Sequence, residues 1–331
     1  MRFVRLIATL LVGCTSLTAC AEEARRPLEI TARPVSFALD SDGPKAVGQL
    51  THLGSLRLTS PDSDFGGISG LIVSPDGKSF LAITDSSHWL TGKLSYTDGR
   101  LTGLTGKEIA PLRDLSGKPL QGKAGDAEGL AGSLDGDVYV SFEGDHRIWK
   151  YAFGKDGLDA TPVAVKVPAD LAKAPGNGGL EAITLLASGK LLAITESYEN
   201  ADGDIRGWMI DPTGKASASP LALKRRAPFD VTDARQLENG DVLTLERRFN
   251  RVGGVGFAVR RIKADALKSG SPIEAEVIAD AGMNYLIDNM EGLSIRKTSD
   301  GRTLVYLVSD NNFNKPLQQN LMMLFELKKA D

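Results

Sequence analysis

The sequence has few cysteines and histidines, and it has no long apolar stripe of helical period. Its 331 residues include two cysteines, Cys14 and Cys20, and three histidines. Because both cysteines lie near the amino terminus, we expect the remaining chain to fold without a disulfide. The scarcity of histidine argues against a serine triad. A nucleophile elbow is not indicated either, since Gly67-Ile-Ser69-Gly is followed by Leu71 where the motif requires glycine.

The chain also lacks the positive charge that would favour nucleic acid. Its formal net charge is −3, and loss of Arg2 and Arg5 with a signal peptide would make the mature chain slightly more acidic. This balance argues against a nucleic-acid partner and against a broad electrostatic hold on anionic lipid. We expect the chain to be a monomer.

The first nineteen residues have the features of a lipoprotein signal peptide. Arg2 and Arg5 precede an apolar run over residues 6–12 that is too short to span a bilayer. The following Leu17-Thr-Ala-Cys20 is similar to the lipobox of bacterial lipoproteins, which predicts lipidation of Cys20. Residues 20–45 would then hold the lipidated cysteine, a tether and an N-terminal strand. The expected location is the bacterial cell envelope, on the outer membrane facing the periplasm. Ordinary secretory cleavage after Ala21 is the alternative.

Against these absences stands one pattern that occurs five times. A small or acidic residue precedes glycine or alanine and a large aliphatic residue, a glycine turn follows, and a hydrophobic run ends on an acid. The copies cover residues 67–85, 128–143, 181–196, 233–246 and 291–310. Each copy is too small to bury its own apolar face, so the copies must pack on one another. Asx-Gly or Ser-Gly pairs supply a hairpin turn in every copy, ending at Gly77, Gly136, Gly189, Gly240 and Gly301.

A second set of glycine turns follows the first, and two turns per copy imply four strands per copy. Four-stranded antiparallel units repeating about every 50 to 60 residues predict an all-β protein with a β-propeller over residues 46–331. We favour five blades, with the last one completed by Leu321–Leu327 and the N-terminal Gln49–Leu58. The ends of the chain would then close the ring. A six-bladed ring that uses residues 28–58 and 317–327 is the alternative.

Hairpin geometry places the acids of the repeat on one face. The start of the first strand and the end of the second lie at the same end of a hairpin. Five positions should therefore face the mouth of the central channel: Ser69, Glu128, Glu181, Asp233 and Glu291. The acids that end the second strands should lie near them: Asp85, Glu143, Glu196, Glu246 and Asp310. Crowded carboxylates need counter-charge, and calcium accepts six to eight oxygen ligands. The predicted calcium ligands are Glu128, Glu181, Asp233, Glu291, Asp310 and Asn311.

The alternative is that each acid caps its own turn or pairs with an arginine of the next blade. Arg247 or Arg248 could neutralise negative charge that develops during a reaction. His88 is the one histidine placed to act as a general base, with a solvated loop histidine as the alternative.

The tryptophans are expected in two different environments. Trp89, beside His88, could lie at the rim, whereas Trp149 and Trp208 should pack between blades. Because Ser69 breaks the ring of acids, the first blade is where we expect a ligand.

Several of these segments resemble the bacterial phytase-like family, also described as "esterase-like activity of phytase". They are Asp126-Ala-Glu-Gly-Leu, Asn177-Gly-Gly-Leu-Glu-Ala-Ile, Glu246-Arg-Arg, Met290-Glu-Gly-Leu and Val308-Ser-Asp-Asn-Asn-Phe. The resemblance runs from Gly66 to Leu327, with Ala182 standing where glycine is more usual. It implies a propeller that hydrolyses a phosphoester or related ester.

On this reading, calcium polarises the substrate and activates water. The catalytic candidates are Glu128, Glu291, Arg248 and His88. Two alternatives stay open. One is a lactonase-type hydrolase, and the other is a non-catalytic lipoprotein that binds a carbohydrate, a peptide or an envelope partner.

Overall fold

The computed structural model describes residues 25–40, 45–120, 122–250, 253–268, 270 and 272–328. The predicted signal peptide, the lipobox and Cys20 lie outside the described residues. Over the described ranges the structure is almost entirely β, with a single α-helical turn, α1 (Phe153–Asp156). Short 3-10 turns lie at Gly122–Gly125, Gly157–Asp159, Ala169–Lys173 and Ala266–Lys268. Within this part of the chain, no helix is long and apolar enough to cross a membrane.

The strands form five antiparallel blades. Four strands precede the first repeat: β1 (Arg26–Pro27), β2 (Thr31–Val35), β3 (Ala46–Val47) and β4 (Leu50–Thr59). Blade 1 contains β5 (Ile68–Val73), β6 (Ser79–Thr84), β7 (His88–Thr97) and β8 (Arg100–Pro111). Blade 2 contains β9 (Ala127–Gly132), β10 (Val138–Phe142), β11 (Arg147–Tyr151) and β12 (Val163–Val165). Blade 3 contains β13 (Leu180–Leu185), β14 (Leu191–Glu199), β15 (Ile205–Ile210) and β16 (Ser219–Leu223).

The last two blades complete the ring. Blade 4 contains β17 (Asp230–Gln236), β18 (Val242–Asn250), β19 (Gly254–Ile262) and β20 (Glu276–Ala281). Blade 5 contains β21 (Asn289–Lys297), β22 (Thr303–Asp310) and β23 (Asn320–Leu327), followed by β4 from the other end of the chain. The first strand of each repeat is the innermost, and neighbouring inner strands contact one another around the channel.

Closure joins the two ends of the chain, as the sequence predicts. In blade 5, β23 pairs with β4 in antiparallel register, with Met322 opposite Leu56. The five-bladed prediction is therefore confirmed and the six-bladed alternative is wrong. The short strand β1 lies against Ile109 and Glu108 at the outer edge of blade 1. Arg26 and Pro27 are thus part of the propeller.

The apolar core lies between the blades. Trp89 of blade 1 is fully buried and meets Tyr151 and Phe153 of blade 2 edge-on, with ring centroids 5.1 and 5.6 Å apart. The expectation that Trp89 lies at the rim is therefore wrong, because blade 2 covers its ring. Trp149 and Trp208 are buried in the interblade clusters, as predicted.

The hairpin turns on the face opposite the mouth follow the glycine pattern. Gly77, Gly189, Gly240 and Gly301 have φ values between 74° and 87°, a region in which a side chain is strained. Gly136 ends the equivalent turn in blade 2 without a positive φ. These turns set the register of each inner hairpin, and so they fix which residues reach the mouth.

Candidate functional site at the mouth of the channel

A β-bulge near the start of every inner strand defines the mouth. In β5, Ile68 pairs with Thr84 and Gly70 with Ile83, so Ser69 has no partner across the strand. The same shift recurs in all five blades. A bulge turns its extra residue out of the regular pleat. The five bulge residues are Ser69, Glu128, Glu181, Thr232 and Glu291.

A second ring follows from the same register. In each second strand, one residue pairs with the residue just before the bulge, and the next residue along the chain belongs to this ring. Its members are Asp85, Glu143, Glu196, Arg247 and Asp310. Blade 4 therefore contributes a threonine to the first ring, as blade 1 contributes a serine, and an arginine to the second ring, where the other four blades contribute acids. The sequence alignment of the fourth copy is wrong by one residue, because it placed Asp233 and Glu246 at these positions. Glu246 instead forms a buried ion pair with Arg260.

The two hydroxyl residues of the first ring bind the next blade. Ser69 Oγ donates to the carbonyl of Ala127 at 2.6 Å, and Thr232 Oγ1 donates to the carbonyl of Met290 at 3.1 Å. These carbonyls occupy equivalent places in blades 2 and 5. Ser69 is therefore an interblade contact, and the expected opening at blade 1 is not observed at this position.

Asp233 lies inside the channel and not among the acids at its mouth. Its Oδ1 accepts from Arg235 Nη1 at 2.5 Å and from the N–H of Ala234, while Oδ2 accepts from the N–H of Leu293 at 2.7 Å. The predicted role of Asp233 as a calcium ligand does not fit these contacts, because both of its oxygens are already bound. Burial raises the pKa of Asp233 to about 7, and Arg235 and the two N–H donors oppose that rise.

Arg235 closes the channel below the mouth. Its Nη1 donates to the carbonyl of Ile183 at 3.0 Å, and its Nη2 donates to the carbonyls of Leu71 at 2.9 Å and Leu130 at 2.5 Å. We call Asp233 and Arg235 the channel pair. Through these bonds the pair of blade 4 contacts the inner strands of the other four blades. It therefore holds the ring together at its axis.

Carboxylates gather most closely on blades 2 and 3. Asp126, Glu128 and Glu143 can bring one oxygen each within 4.8 Å of the others, and so can Glu143, Glu181 and Glu196. Glu143 belongs to both groups. Its Oε1 accepts the N–H groups of Gly178 and Gly179 at 2.8 and 2.7 Å, which fixes its orientation. These clusters could hold a metal ion.

The described structure leaves buried carboxylate atoms of this site without a hydrogen bond. Oε2 of Glu181 and Oδ1 of Asp85 are buried and make no hydrogen bond to the described residues. Glu181 is only 6 % exposed. A buried charged oxygen without a partner is costly. An oxygen-seeking cation would supply the missing contacts, so these residues fit a hard metal ion.

Burial raises the pKa values of the acids around the mouth. The pKa of Asp85 rises to about 7 through burial and the nearby Asp310 and Asp126. Burial raises the pKa of Glu291 to about 8, although Arg247 opposes the rise. For Glu128 and Glu181 burial, followed by neighbouring carboxylates, raises the pKa well above its usual range. We call eight residues the mouth acids: Asp85, Asp126, Glu128, Glu143, Glu181, Glu196, Glu291 and Asp310.

Arg247, and not Arg248, lies among these acids. Its Nη2 is 2.8 Å from Glu196 Oε1, and its Nε is 2.9 Å from Glu291 Oε1. Burial alone would lower the pKa of Arg247, but Glu291, Glu181 and Glu196 raise it overall. Arg248 instead lies over the ring of Phe229 and donates to the carbonyl of Gly253 at 3.3 Å. Of the two arginines that the sequence offers, Arg247 is therefore the one beside the mouth acids, and the catalytic role named for Arg248 stays a prediction.

Asp310 and Asn311 lie where blade 5 meets blade 1. Asp310 Oδ1 accepts the N–H of Asn312 at 2.7 Å, and burial raises its pKa to about 6. Asn311 Oδ1 accepts the N–H groups of Gly67 and Phe313 at 3.4 and 3.3 Å. Asn311 thus secures the loop, while Asp310 adds a carboxylate to the mouth.

His88 is buried at the start of β7, two strands away from the channel. Its backbone N–H donates to Thr84 Oγ1 at 3.0 Å. The structure thus brings Glu128, Glu181, Glu291 and Asp310 together at the mouth and leaves His88 outside the two rings. Sequence reasoning missed Asp126 and Thr232. Aligning Asp230-Val-Thr with Asp126-Ala-Glu would have found both.

Comparisons with known proteins agree with the architecture. The model of the phytase-like family, described as esterase-like activity of phytase, matches residues 63–313. No curated protein matches the chain. Among solved structures, an α-L-arabinofuranosidase from Podospora anserina in complex with cellotriose is 14% identical, with a TM-score of 0.50. That match covers 86% of this chain and 98% of the other.

A hypothetical protein from Leishmania major is 13% identical, with a TM-score of 0.46, and the match covers 86% of this chain and 91% of the other. At such identities, structural likeness concerns the fold alone.

Proposed function

The chain belongs to the phytase-like family, and from that premise we propose that it is a calcium-dependent hydrolase of a phosphoester or related ester. The observation that carries the proposal is the presence of two clusters of three acidic residues on blades 2 and 3, which have Glu143 in common. A family described by an esterase-like activity supports the same reaction class. A lactone is a close variant of such a substrate.

The chemistry of the mouth suits a calcium ion. The donors are all carboxylate oxygens, which hard cations prefer. Asp126, Glu128, Glu143 and Glu181 would hold the ion. When bound, it would act as a Lewis acid toward a carbonyl or phosphoryl oxygen. Its positive charge would also lower the raised pKa values of the acids that hold it.

Two residues of blades 4 and 5, beside these acids, have suitable roles in hydrolysis. Arg247 carries a positive charge beside the site and can stabilise negative charge on the reacting group. In the metal-free protein burial raises the pKa of Glu291 to about 8, which favours its protonated form near neutral pH. Its contacts with Arg247 and Asn289 both use Oε1, which leaves Oε2 to carry that proton. Glu291 can therefore act as a general acid toward the leaving group.

For location, we propose a lipid-anchored protein of the bacterial cell envelope, facing the periplasm and monomeric. The support is the amino-terminal sequence, in which a lipobox-like segment ends at Cys20. Secretion without a lipid anchor is the alternative. Labelling with a radioactive fatty acid tests this, because Cys20→Ser should abolish incorporation while Cys14→Ser should not.

A second candidate is a binding protein without catalysis. The observation that favours it is the ion pairing of Glu196 and Glu291 with Arg247, since these acids already have a partner. Such a protein would use the mouth to hold a carbohydrate, a peptide or an envelope partner.

Calcium titration of the chelator-treated protein by calorimetry tests the metal site. We expect Glu128→Gln and Glu181→Gln each to weaken calcium binding at least tenfold, because each removes one charged ligand. Glu276→Gln is the matched control, since Glu276 is exposed on the outer strand of blade 4 and should bind calcium as wild type does. Equal affinity in all four proteins would place the metal elsewhere.

Hydrolysis of a panel of phosphoesters, carboxylic esters and lactones, with calcium present, tests the reaction. We expect turnover of at least one class and its loss in Glu291→Gln. Calcium binding without any turnover across the panel would favour the binding protein instead.

A further inference from the structure

Four exposed apolar side chains surround one cavity beside the mouth acids. Leu39, Phe249, Met283 and Leu317 are between 60% and 78% exposed. They line a cavity of about 670 Å³. The cavity lies at the mouth end of blades 4 and 5, between the paired ends of β18 and β19 and the loops that connect β20 to β21 and β22 to β23. Single exposed apolar residues are normal, but a contiguous group marks a binding surface.

Packing and hydrogen bonds fix the walls of this apolar cavity. Met283 lies against Gly254, where an added Cβ would come within 2.6 Å of Met283 Sδ. The ring of Tyr285 stacks on Phe37 at 4.5 Å between centroids. The N–H of Leu39 donates to the carbonyl of Asn284 at 3.3 Å. A preformed cavity of this volume is typical of a small-molecule site.

The inner end of the apolar cavity connects directly with the mouth acids. Arg247 and Asn289 line the cavity, and both contact Glu291 Oε1, at 2.9 and 2.6 Å. The remaining polar lining is mostly neutral amide: Asn312, Asn314, Gln318 and Gln319, with Asp288 beside them. Asp288 accepts the N–H groups of Asn289 and Gln319, each at 2.9 Å.

Charge excludes a polyanion from this place. The mouth acids contribute eight carboxylates, and Arg247 is already shared between Glu196 and Glu291. A ligand with several phosphate groups would need more positive charge than the described side chains of the cavity supply. Neutral amides suit a neutral polar group instead.

We propose that the apolar cavity binds the acyl or aryl group of a neutral ester, with the ester carbonyl at Arg247 and Glu291. Hydrolysis of this ester rests on the proposed hydrolase function, whereas binding of its apolar group in the cavity does not. The substrate is then a carboxylic ester with an apolar chain of several carbons, not a sugar polyphosphate. When such a chain packs against Phe249, Met283 and Leu317, the apolar surface of both is removed from water, which stabilises the complex.

Binding can be measured without turnover by titrating the protein with N-hexylacetamide, a neutral amide that stands in for the ester. N-methylacetamide, which lacks the chain, is the comparison ligand. We expect N-hexylacetamide to bind at least tenfold more tightly. The double variant Phe249→Ser/Leu317→Ser should weaken it at least fivefold. The matched control is Leu115→Ser/Val163→Ser, which changes two apolar residues that are 52% and 56% exposed elsewhere on the propeller.

The same variants are then assayed with p-nitrophenyl acetate and p-nitrophenyl octanoate. In Phe249→Ser/Leu317→Ser we expect kcat/KM to fall for p-nitrophenyl octanoate and to stay unchanged for p-nitrophenyl acetate. Tighter binding of N-hexylacetamide without hydrolysis of either ester would overturn the hydrolase and leave the cavity proposal standing. Equal binding of the two amides would overturn the cavity proposal even if the esters were hydrolysed. Binding to phosphatidylcholine vesicles is measured with the same variants. If Phe249→Ser/Leu317→Ser lost vesicle binding but kept its affinity for N-hexylacetamide, the exposed apolar residues would bind a lipid surface and the cavity proposal would be overturned.

Discussion

The channel pair is buried inside the ring of inner strands and the mouth acids lie buried or half-buried at one end of it, yet the two groups differ in how their charges are compensated. Asp233 and Arg235 bind each other and six backbone groups besides. At the mouth, Glu181 and Asp85 each keep a buried oxygen without a hydrogen bond among the described residues. The first arrangement satisfies its charges, and the second leaves several carboxylates to repel one another.

The difference separates a structural use of charge from a functional one. The attraction within a buried ion pair offsets part of its desolvation cost, and the loss of one partner leaves the other charge uncompensated. Unpaired buried carboxylates destabilise the metal-free protein and remain available to a cation. Clusters of strongly shifted pKa values are typical of functional sites. We therefore expect changes in the channel pair to affect folding, and changes at the mouth to affect binding and pH dependence.

The largest expected effect comes from breaking the channel pair. Arg235→Ala leaves Asp233 buried without its counter-charge and removes donors from the carbonyls of Ile183, Leu71 and Leu130. Breaking a buried pair in this way costs about 3–5 kcal/mol in the free energy of unfolding. Urea denaturation of the wild type and the variant measures the loss.

Arg302→Ala is the control for this change, because Arg302 forms exposed ion pairs with Asp300 and Glu326 on the surface. Its loss should cost about 1 kcal/mol or less. A cost below about 1 kcal/mol for Arg235→Ala as well would mean that the channel pair does not hold the ring together.

A smaller effect should appear when the pH of the metal-free protein is raised. Burial raises the pKa of Glu291 to about 8 and that of Asp85 to about 7. The folded state therefore binds more protons than the unfolded state above the unfolded pKa values. The free energy of unfolding falls as these groups ionise, by about 1–3 kcal/mol between pH 7 and pH 9.

This window avoids an opposing contribution from His52. Burial lowers the pKa of His52 to about 4, so its neutral form adds stability as the pH rises toward 6.5. Above pH 7 it no longer titrates in either state. Calcium should reduce the fall in stability because it pairs with the ionised acids. A metal-free protein whose stability is constant or rises from pH 7 to pH 9 would contradict the assigned pKa shifts.

The architecture could be predicted from the sequence because it depends on features that repeat. The glycine turns and the apolar runs recur in every copy, and they determine strand number, blade number and closure by Leu321–Leu327. Glu128, Glu181 and Glu291 were found for the same reason. Each precedes glycine or alanine and an aliphatic residue in its copy.

The exceptions could not be predicted by the same reasoning, because they are departures from the repeat. In blade 4 the acids Asp233 and Glu246 are each next in sequence to the residue that lies at the mouth, which is Thr232 in the first strand and Arg247 in the second. Only the β-bulge determines which of these residues lies at the mouth. Trp89 has the same difficulty, since its burial depends on Tyr151 and Phe153 in the next blade. Contacts between blades leave no local pattern in the sequence.

The smallest expected effect sharpens the contrast within the first ring itself. Thr232→Val removes the hydroxyl that donates to the carbonyl of Met290 but keeps the shape of the side chain. We expect a loss of about 1 kcal/mol in the free energy of unfolding, because one interblade hydrogen bond is lost. Ser69→Ala should behave in the same way, since its hydroxyl donates to Ala127. Calcium affinity should be unchanged in both variants, unlike Glu128→Gln and Glu181→Gln. If Thr232→Val weakened calcium binding as strongly as Glu181→Gln, all five bulge residues would have to be counted as part of the metal site.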